Sequence, residues 1–426
     1  MILIKGGRVI APHLGLDEVA DLVVDEHACR LRRDDSTSAA QQPDVILEAR
    51  GLLVLPGLID MHVHLREPGH TDKETIATGT RAAAAGGFTL VAAEANTDPP
   101  IDSEARLGEV YELIERSAVV PVMQKPCLTK GQRGRELARV DPSTGAPVVS
   151  DDGEPLADAD LLLRALAWCK SRRLVPCLHE EETEASREAL ARVFGPGKPY
   201  AREAELIARD IGLAAEADAP VHFCHVSLAE SARLIREAQK RGVAVTAEAT
   251  PHHLCLSEDD VPRRDPNFKM NPPLRSREDV QAIRRALAEG VIGVIASDHA
   301  PHTPEEKARA WDSAPFGVIG LETSLGVVMT RLVGEGVISL SQMVGAMHTN
   351  PSRLLRLGSA PAAPDSRRVG EGSLTLIDPD REWTVDAEQF YSKGRNCPFA
   401  GWRLKGKAVA AIVRGKLVMR DGEILV

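Results

Sequence analysis

Aromatic residues are scarce: 4 Trp, 3 Tyr and 7 Phe among 426 residues, or 3% of the chain. So few π-faces make a poor platform for stacking nucleobases. Basic residues are also in deficit, with 52 Lys and Arg against 62 Asp and Glu and a formal net charge of -10. That balance argues against nonspecific nucleic-acid binding. Cysteine is limited to Cys29, Cys127, Cys169, Cys177, Cys224, Cys255 and Cys397, with no C-x-x-C pair. Seven unpaired spacings are a poor disulfide framework and fit a reducing cytoplasm. No apolar run reaches the length of a membrane span. The opening MILIKGGRVI reads as a strand and turn, without the basic leader and apolar core of an export signal.

What is present describes a globular chain, 43% hydrophobic and 27% charged. Its length suits one large barrel and a smaller unit. Residues 20–25 and 45–48 alternate like half-buried strands, and so do 373–377, 407–413 and 416–418 near the other end. Two such sets pair into one sheet domain if the termini meet; two unrelated hairpins are the alternative. Between them, apolar runs at 88–93, 118–122, 147–150, 174–178, 220–224, 243–247 and 291–297 alternate mostly with helical patterns. With the run ending at His64 this gives eight strands, so the fold class is α/β, a parallel barrel rather than an open sheet.

Metal-binding side chains fall where these strands stop: His62 and His64, Asp152, His179, His225 and Asp298. Residues two apart in an extended chain share a face, so His62 and His64 can clasp one cation. Asp151-Asp152-Gly153 also suits an ordinary turn, and His179 or His225 alone also suits a core imidazole bonded to a carbonyl. Cys224 should point away from His225 and reads as packing. Asp298, after an apolar run, needs a cation or a hydrogen-bond network to be buried. Taken together, four imidazoles and two carboxylates can support two divalent ions, with Asp152 bridging. Nitrogen and oxygen ligands suit zinc, and also cobalt or manganese.

The motifs PGLIDMHVHLREPG (56–69), GGFT (86–89), NT (96–97), SDDG (150–153), CHVS (224–227), TPHH (250–253), NPPLR (271–275) and SDHAPH (297–302) resemble the cyclic amidohydrolases, and most closely the bacterial long-chain dihydroorotases. The resemblance covers nearly the whole chain. It implies a TIM barrel (55–358) beside a small β-sandwich built from residues 1–54 and 359–426. It implies that His62, His64, Asp152 and Asp298 hold one zinc ion and His179, His225 and Asp152 the second. Asp152 rather than Asp151 matches the family's bridge, and an aspartate there favours this class over hydantoinase or allantoinase. The implied reaction interconverts L-dihydroorotate and N-carbamoyl-L-aspartate, with a metal-activated hydroxide as nucleophile and Asp298 as proton shuttle. Arg66 would clamp the acidic substrate, with Asn96, Asn271 and His302 assisting and the backbone of Phe316 and Gly317 reading the ring amide. Segment 303–315 is expected to be a loop bounding the pocket. A homo-oligomer, or a complex with aspartate carbamoyltransferase, is the partner state the family suggests. Two features depart from the family: Glu94-Ala95 replaces Met-Pro, and Leu178 and Glu180 replace the residues usual around that histidine.

Overall fold

The computed structural model describes residues 1–32, 42–140, 145–195, 202–357, 368–370 and 372–426. The barrel strands are β1 (Leu58–Val63), β2 (Phe88–Ala93), β3 (Val122–Gln124), β4 (Val148–Ser150), β5 (Val175–Leu178), β6 (Val221–Phe223), β7 (Val245–Ala249) and β8 (Val294–Ile295). They run parallel in two arcs, β1–β3 and β4–β8. The arcs join at both seams. Ser150 N donates to Pro126 O at 3.0 Å, and His64 N donates to His299 O at 2.8 Å beside a parallel bridge between Val63 and His299. The result is a closed eight-stranded barrel, as the alternation of apolar runs and helices implied.

The crossover helices follow from capped, amphipathic sequence. Thr75, Ser103, Asp158 and Ser276 each accept a backbone N–H in the first turn of the helix that follows, satisfying donors a helix start leaves open. In the helix Arg277–Ala288, the buried Val280, Ile283, Arg284 and Leu287 recur at spacings of three and four and face the barrel. The helix Ala229–Lys240 begins at Leu228, which has no capping side chain. Its first donors are met from outside: Glu203 accepts from Ser227 N and Leu228 N at 3.0 Å each, and Asp279 accepts from Ala229 N at 2.9 Å. Among the described residues, the β3–β4 connection carries only the single turn Lys130–Gln132 instead of a helix. Residues 303–315, expected as loop, contain one helical turn at Pro304–Lys307, because Thr303 and Glu306 form a capping box around a proline suited to a helix start.

The two chain ends meet. Leu374–Ile377 pairs antiparallel with Leu53–Pro56, joining both termini into one ten-stranded mixed sheet. That sheet encloses its own core of Ile4, Val9, Leu22, Val24, Leu47, Val54, Leu376 and Ile412. The first strand, Ile2–Ala11, bends at Gly6, where φ is 68°. It pairs with Val45–Glu48 before the bend and with Leu53 and Val54 after it. A Cβ on Gly7 would lie 2.4 Å from Val54 Cγ2, so glycine is required at that crossing. Between the strands Leu374–Thr384 and Arg403–Val413 the C-terminal segment leaves the sheet: Val385, Ala387, Cys397 and Phe399 pack with Leu256, Met270, Val318 and Ile319 of the barrel. The boundary expected at 358/359 lies outside the described residues.

Candidate metal centre

Every predicted ligand lies at the C-terminal mouth of the barrel, where parallel strands release their chains. His62 belongs to β1 and His64 follows it; Asp152 is two residues past β4, His179 one past β5, His225 two past β6, and Asp298 three past β8. All six are at most 7% exposed. His225 and Asp298 have φ of 32° and 48°, as Arg66 has 59°. Such left-handed backbone in non-glycine residues is costly, and here it falls on two buried ligands and the arginine beside them.

Asp152 is the hub. Its Oδ1 lies 3.1 Å from His62 Nε2 and 3.5 Å from both His179 Nδ1 and His225 Nε2, while Oδ2 lies 3.4 Å from His64 Nε2. Asp298 Oδ1 lies 3.2 Å from His64 Nε2 and 3.7 Å from His62 Nε2. Two metal-capable triads therefore share one carboxylate: His62, His64 and Asp152, and Asp152, His179 and His225. Donor chemistry fits divalent cations. His62 Nε2 and Asp152 Oδ1 are buried without a hydrogen bond. Burial opposes charge on His62, but Asp152, Glu94 and Glu248 outweigh it and hold its pKa well above the histidine range. Burial likewise opposes ionisation of Asp152, yet the charge of His62 and the close approach of His179 and His225 hold it well below the carboxylate range. The pocket is built to receive positive charge.

Imidazole orientation is fixed from behind. Glu248 Oε1 lies 2.6 Å from His62 Nδ1, and Asn96 Oδ1 lies 2.8 Å from His64 Nδ1, leaving each Nε2 toward the centre. Asn271 Nδ2 approaches His179 Nε2 at 3.3 Å. Asn96 Nδ2 is 3.3 Å from Asp152 O. Both asparagines expected on the substrate side thus also touch the ligand shell.

Arg66 leans over the site, its Nε donating to Pro301 O at 3.2 Å and its Nη2 lying 3.4 Å from His302 Nε2. His302 Nε2 is 2.7 Å from Phe316 O. Gly317 N donates to Lys269 O at 2.9 Å, and Asn396 Nδ2 donates to Gly317 O at 3.0 Å. The backbone expected to read a ring amide is therefore a strap already tied to its neighbours.

Sequence reasoning missed several participants. Glu248 is an acid inside β7 that also lies 3.1 Å from His222 Nε2. A carboxylate in the otherwise strand-like VTAEA was the available signal. Glu94 and Lys125 form a fully buried ion pair beside His62. Burial works against the Lys125 ammonium, and Glu94 more than compensates. Asn396, far off in sequence, gave no signal. Cys224 packs as expected, but its direction does not follow from strand alternation. Strand alternation cannot turn it away, because β6 stops at Phe223 and His225 is left-handed. It packs in the barrel floor with Met61 and Cys177, and its Sγ also lies within 4.8 Å of ligand atoms of His62 and Glu248.

A family profile described as Dihydro-orotase-like matches residues 51–231. A dihydroorotase from Geobacter sp. (strain M21) is 43% identical, over 99% of this chain and 100% of its own length. One from Pelotomaculum thermopropionicum is 45% identical over 99% of each chain. This chain belongs to the dihydroorotase family. Among solved structures, an L-hydantoinase (dihydropyrimidinase) from Arthrobacter aurescens superposes with a TM-score of 0.86 at 25% identity, covering 100% of this chain and 97% of the other. The family is one of metal-dependent cyclic amidohydrolases acting on small cyclic amides or their ureido products, in keeping with the overlapping His and Asp clusters. No helix among the described residues is long and apolar enough to cross a membrane.

Proposed function

We propose that the protein catalyses the reversible hydrolysis of L-dihydroorotate to N-carbamoyl-L-aspartate in pyrimidine synthesis. The observation that carries this reading is Asp152 shared between two imidazole pairs, with Asp298 against His64, in a chain 43% identical to a dihydroorotase over its full length. We assign the reaction to barrel residues 55–358, with 1–54 and 359–426 as the sheet unit. His62, His64, Asp152 and Asp298 are assigned to one ion and His179, His225 and Asp152 to the other, both zinc. When bound, two such ions lower the pKa of a water and polarise the amide carbonyl.

The chain's own groups do the rest. Asp298 takes the proton of the attacking water on its carboxylate and returns it to the ring nitrogen as the C–N bond breaks. In ring closure the same carboxylate takes the proton from the ureido nitrogen. Arg66 meets the substrate carboxylate with its planar fork, and His302, behind it, holds the strap at Phe316 and Gly317 that borders the ring. Asn271 Oδ1 is buried without a partner and is an acceptor for a substrate N–H. Asn96 directs Nδ2 over Asp152 from the opposite side. With all seven thiols free, we place the reaction in the cytoplasm.

The likeness to hydantoinase structures favours one other reading, hydrolysis of a neutral cyclic amide. Turnover of dihydroorotate, hydantoin and allantoin, measured on one purified sample with its metal content determined, separates them. Dihydroorotate should be hydrolysed fastest by a wide margin. A metal-loaded sample that prefers hydantoin or allantoin would sink the proposal. The mass of the protein in solution, alone and mixed with an aspartate carbamoyltransferase, reads out its assembly.

A further inference from the structure

Arg275 lies where the loops carrying two of the proposed ligands converge. Its Nε donates to Ser227 Oγ at 2.9 Å, and its Nη2 donates to Glu181 Oε2 and reaches Glu203 Oε2 at 3.5 Å. Ser227 stands two residues after His225, and Glu181 two residues after His179. Asn271, four residues before Arg275 on the same loop, approaches His179 Nε2 at 3.3 Å. One guanidinium thus joins the loops after β5, β6 and β7. Its partners are sequestered: Glu181 and Glu203 are 0% and 2% exposed. They are also committed. Glu181 Oε1 accepts from Glu182 N at 2.9 Å and Arg202 N at 3.1 Å, and Glu203 caps the helix behind Ser227.

We propose that Arg275 is a positioning residue that sets the separation of His179 and His225, and through it the affinity of the second ion. The inference rests on the assignment of those two histidines to an ion. A flat, multiply donating cation can bridge a hydroxyl and two carboxylates at once, which an ammonium cannot reproduce. The backbone at His225 is left-handed, so it needs outside contacts to stay there. The other half of the centre is oriented by side chains other than the Ser227, Glu181 and Glu203 that Arg275 holds. His62 and His64 are oriented by Glu248 and Asn96, and Asp298 rests on His64.

The test is a Co2+ titration of the full-length, chelator-stripped protein, with bound metal measured by equilibrium dialysis and elemental analysis. Wild type should take up two ions. His225→Ala should take up one; if it still binds two like wild type, the ligand assignment itself fails. Arg275→Gln should bind the first ion normally and the second about 10- to 100-fold more weakly, the range found when a group supporting a metal ligand is removed. Arg275→Lys should fall between. An Arg275→Gln protein that binds both ions like wild type, or loses affinity for both equally, overturns the proposal. Should that variant not fold, Ser227→Ala removes only one partner of the guanidinium. It should weaken the second ion alone, and unchanged affinity overturns the proposal equally.

Discussion

Asp298 is held between two imidazoles and cannot be replaced by its amide without losing a proton acceptor. Burial opposes its ionisation, but the His64 hydrogen bond and the charge of His62 win and keep it below the usual carboxylate range. Asp298→Asn preserves size and should retain both ions by elemental analysis, while dihydroorotate turnover falls by about 10²- to 10⁴-fold, the range for a lost general acid–base group. Near-normal turnover by that variant would exclude the shuttle. His348, remote from the site, bears on stability instead. Burial pushes it down to about 4 from 6.5, against its 2.8 Å bond to Gly57 O and with help from His13. The folded state therefore keeps it neutral while the unfolded chain protonates. Stability from this group is present above pH 6.5, declines as pH falls toward about 4, and levels off below. His348→Gln keeps a donor and should flatten that part of a urea-denaturation series against pH; an unchanged slope would show that His348 does not contribute it.

At the scale of elements, the mouth of the barrel is organised by short chain segments that leave their strands in left-handed conformations. The strap Phe316–Val318 lies against one of these. It runs beside His299–His302, with Ala300 N donating to Val318 O at 2.8 Å. Gly317 has φ of 132°, and a Cβ there would lie 2.8 Å from Ala300 O and 2.9 Å from Ala300 Cβ. Gly317→Ala should destabilise the protein by about 1–3 kcal/mol through backbone strain and raise KM for dihydroorotate, because the strap must move away from His302. Urea denaturation and steady-state kinetics check both. Wild-type values in both would show that the strap tolerates displacement. The helix Ala229–Lys240 makes the same point about borrowed support: its start is capped by Glu203 and Asp279 from other helices, so the β6 loop is positioned by its neighbours.

At the scale of the molecule, one core runs from the barrel into the terminal sheet, including Leu55, Phe88, Ile377, Ala408 and Met419. The candidate metal centre lies inside that unit, so ion binding should stabilise the whole fold. Each ion at 100 times its dissociation constant adds about 2.7 kcal/mol. Stripping the protein with a chelator should lower its melting temperature in calorimetry, and adding Zn2+ back should restore it in a concentration-dependent way. A melting temperature indifferent to metal would mean that the His62–Asp152–His225 cluster is not a metal site.

The strand–helix alternation of a barrel and the six proposed ligands were legible in the chain, the ligands through their shared placement at strand ends and the family motifs, whereas the helical turn Pro304–Lys307 was not. Apolar periodicity is local, and each ligand stands next to the strand end that delivers it: His62 and His64 at β1, His179 at β5, Asp298 beyond β8. Two sets of half-buried strands left the chain ends either paired or as separate hairpins, and the pairing of Leu374–Ile377 with Leu53–Pro56 decided it. Tertiary structure alone decided what stands behind the ligands. Glu248 reaches His62 across 186 positions, Arg275 reaches Glu181 across 94, and Asn396 reaches Gly317 across 79. Such contacts leave no periodic trace in the chain, because their partners meet only after the barrel has closed. The inward turn at His225 belongs to the same class: a strand two residues shorter than its apolar run lets the backbone change hand, and no alternation rule anticipates where pairing stops.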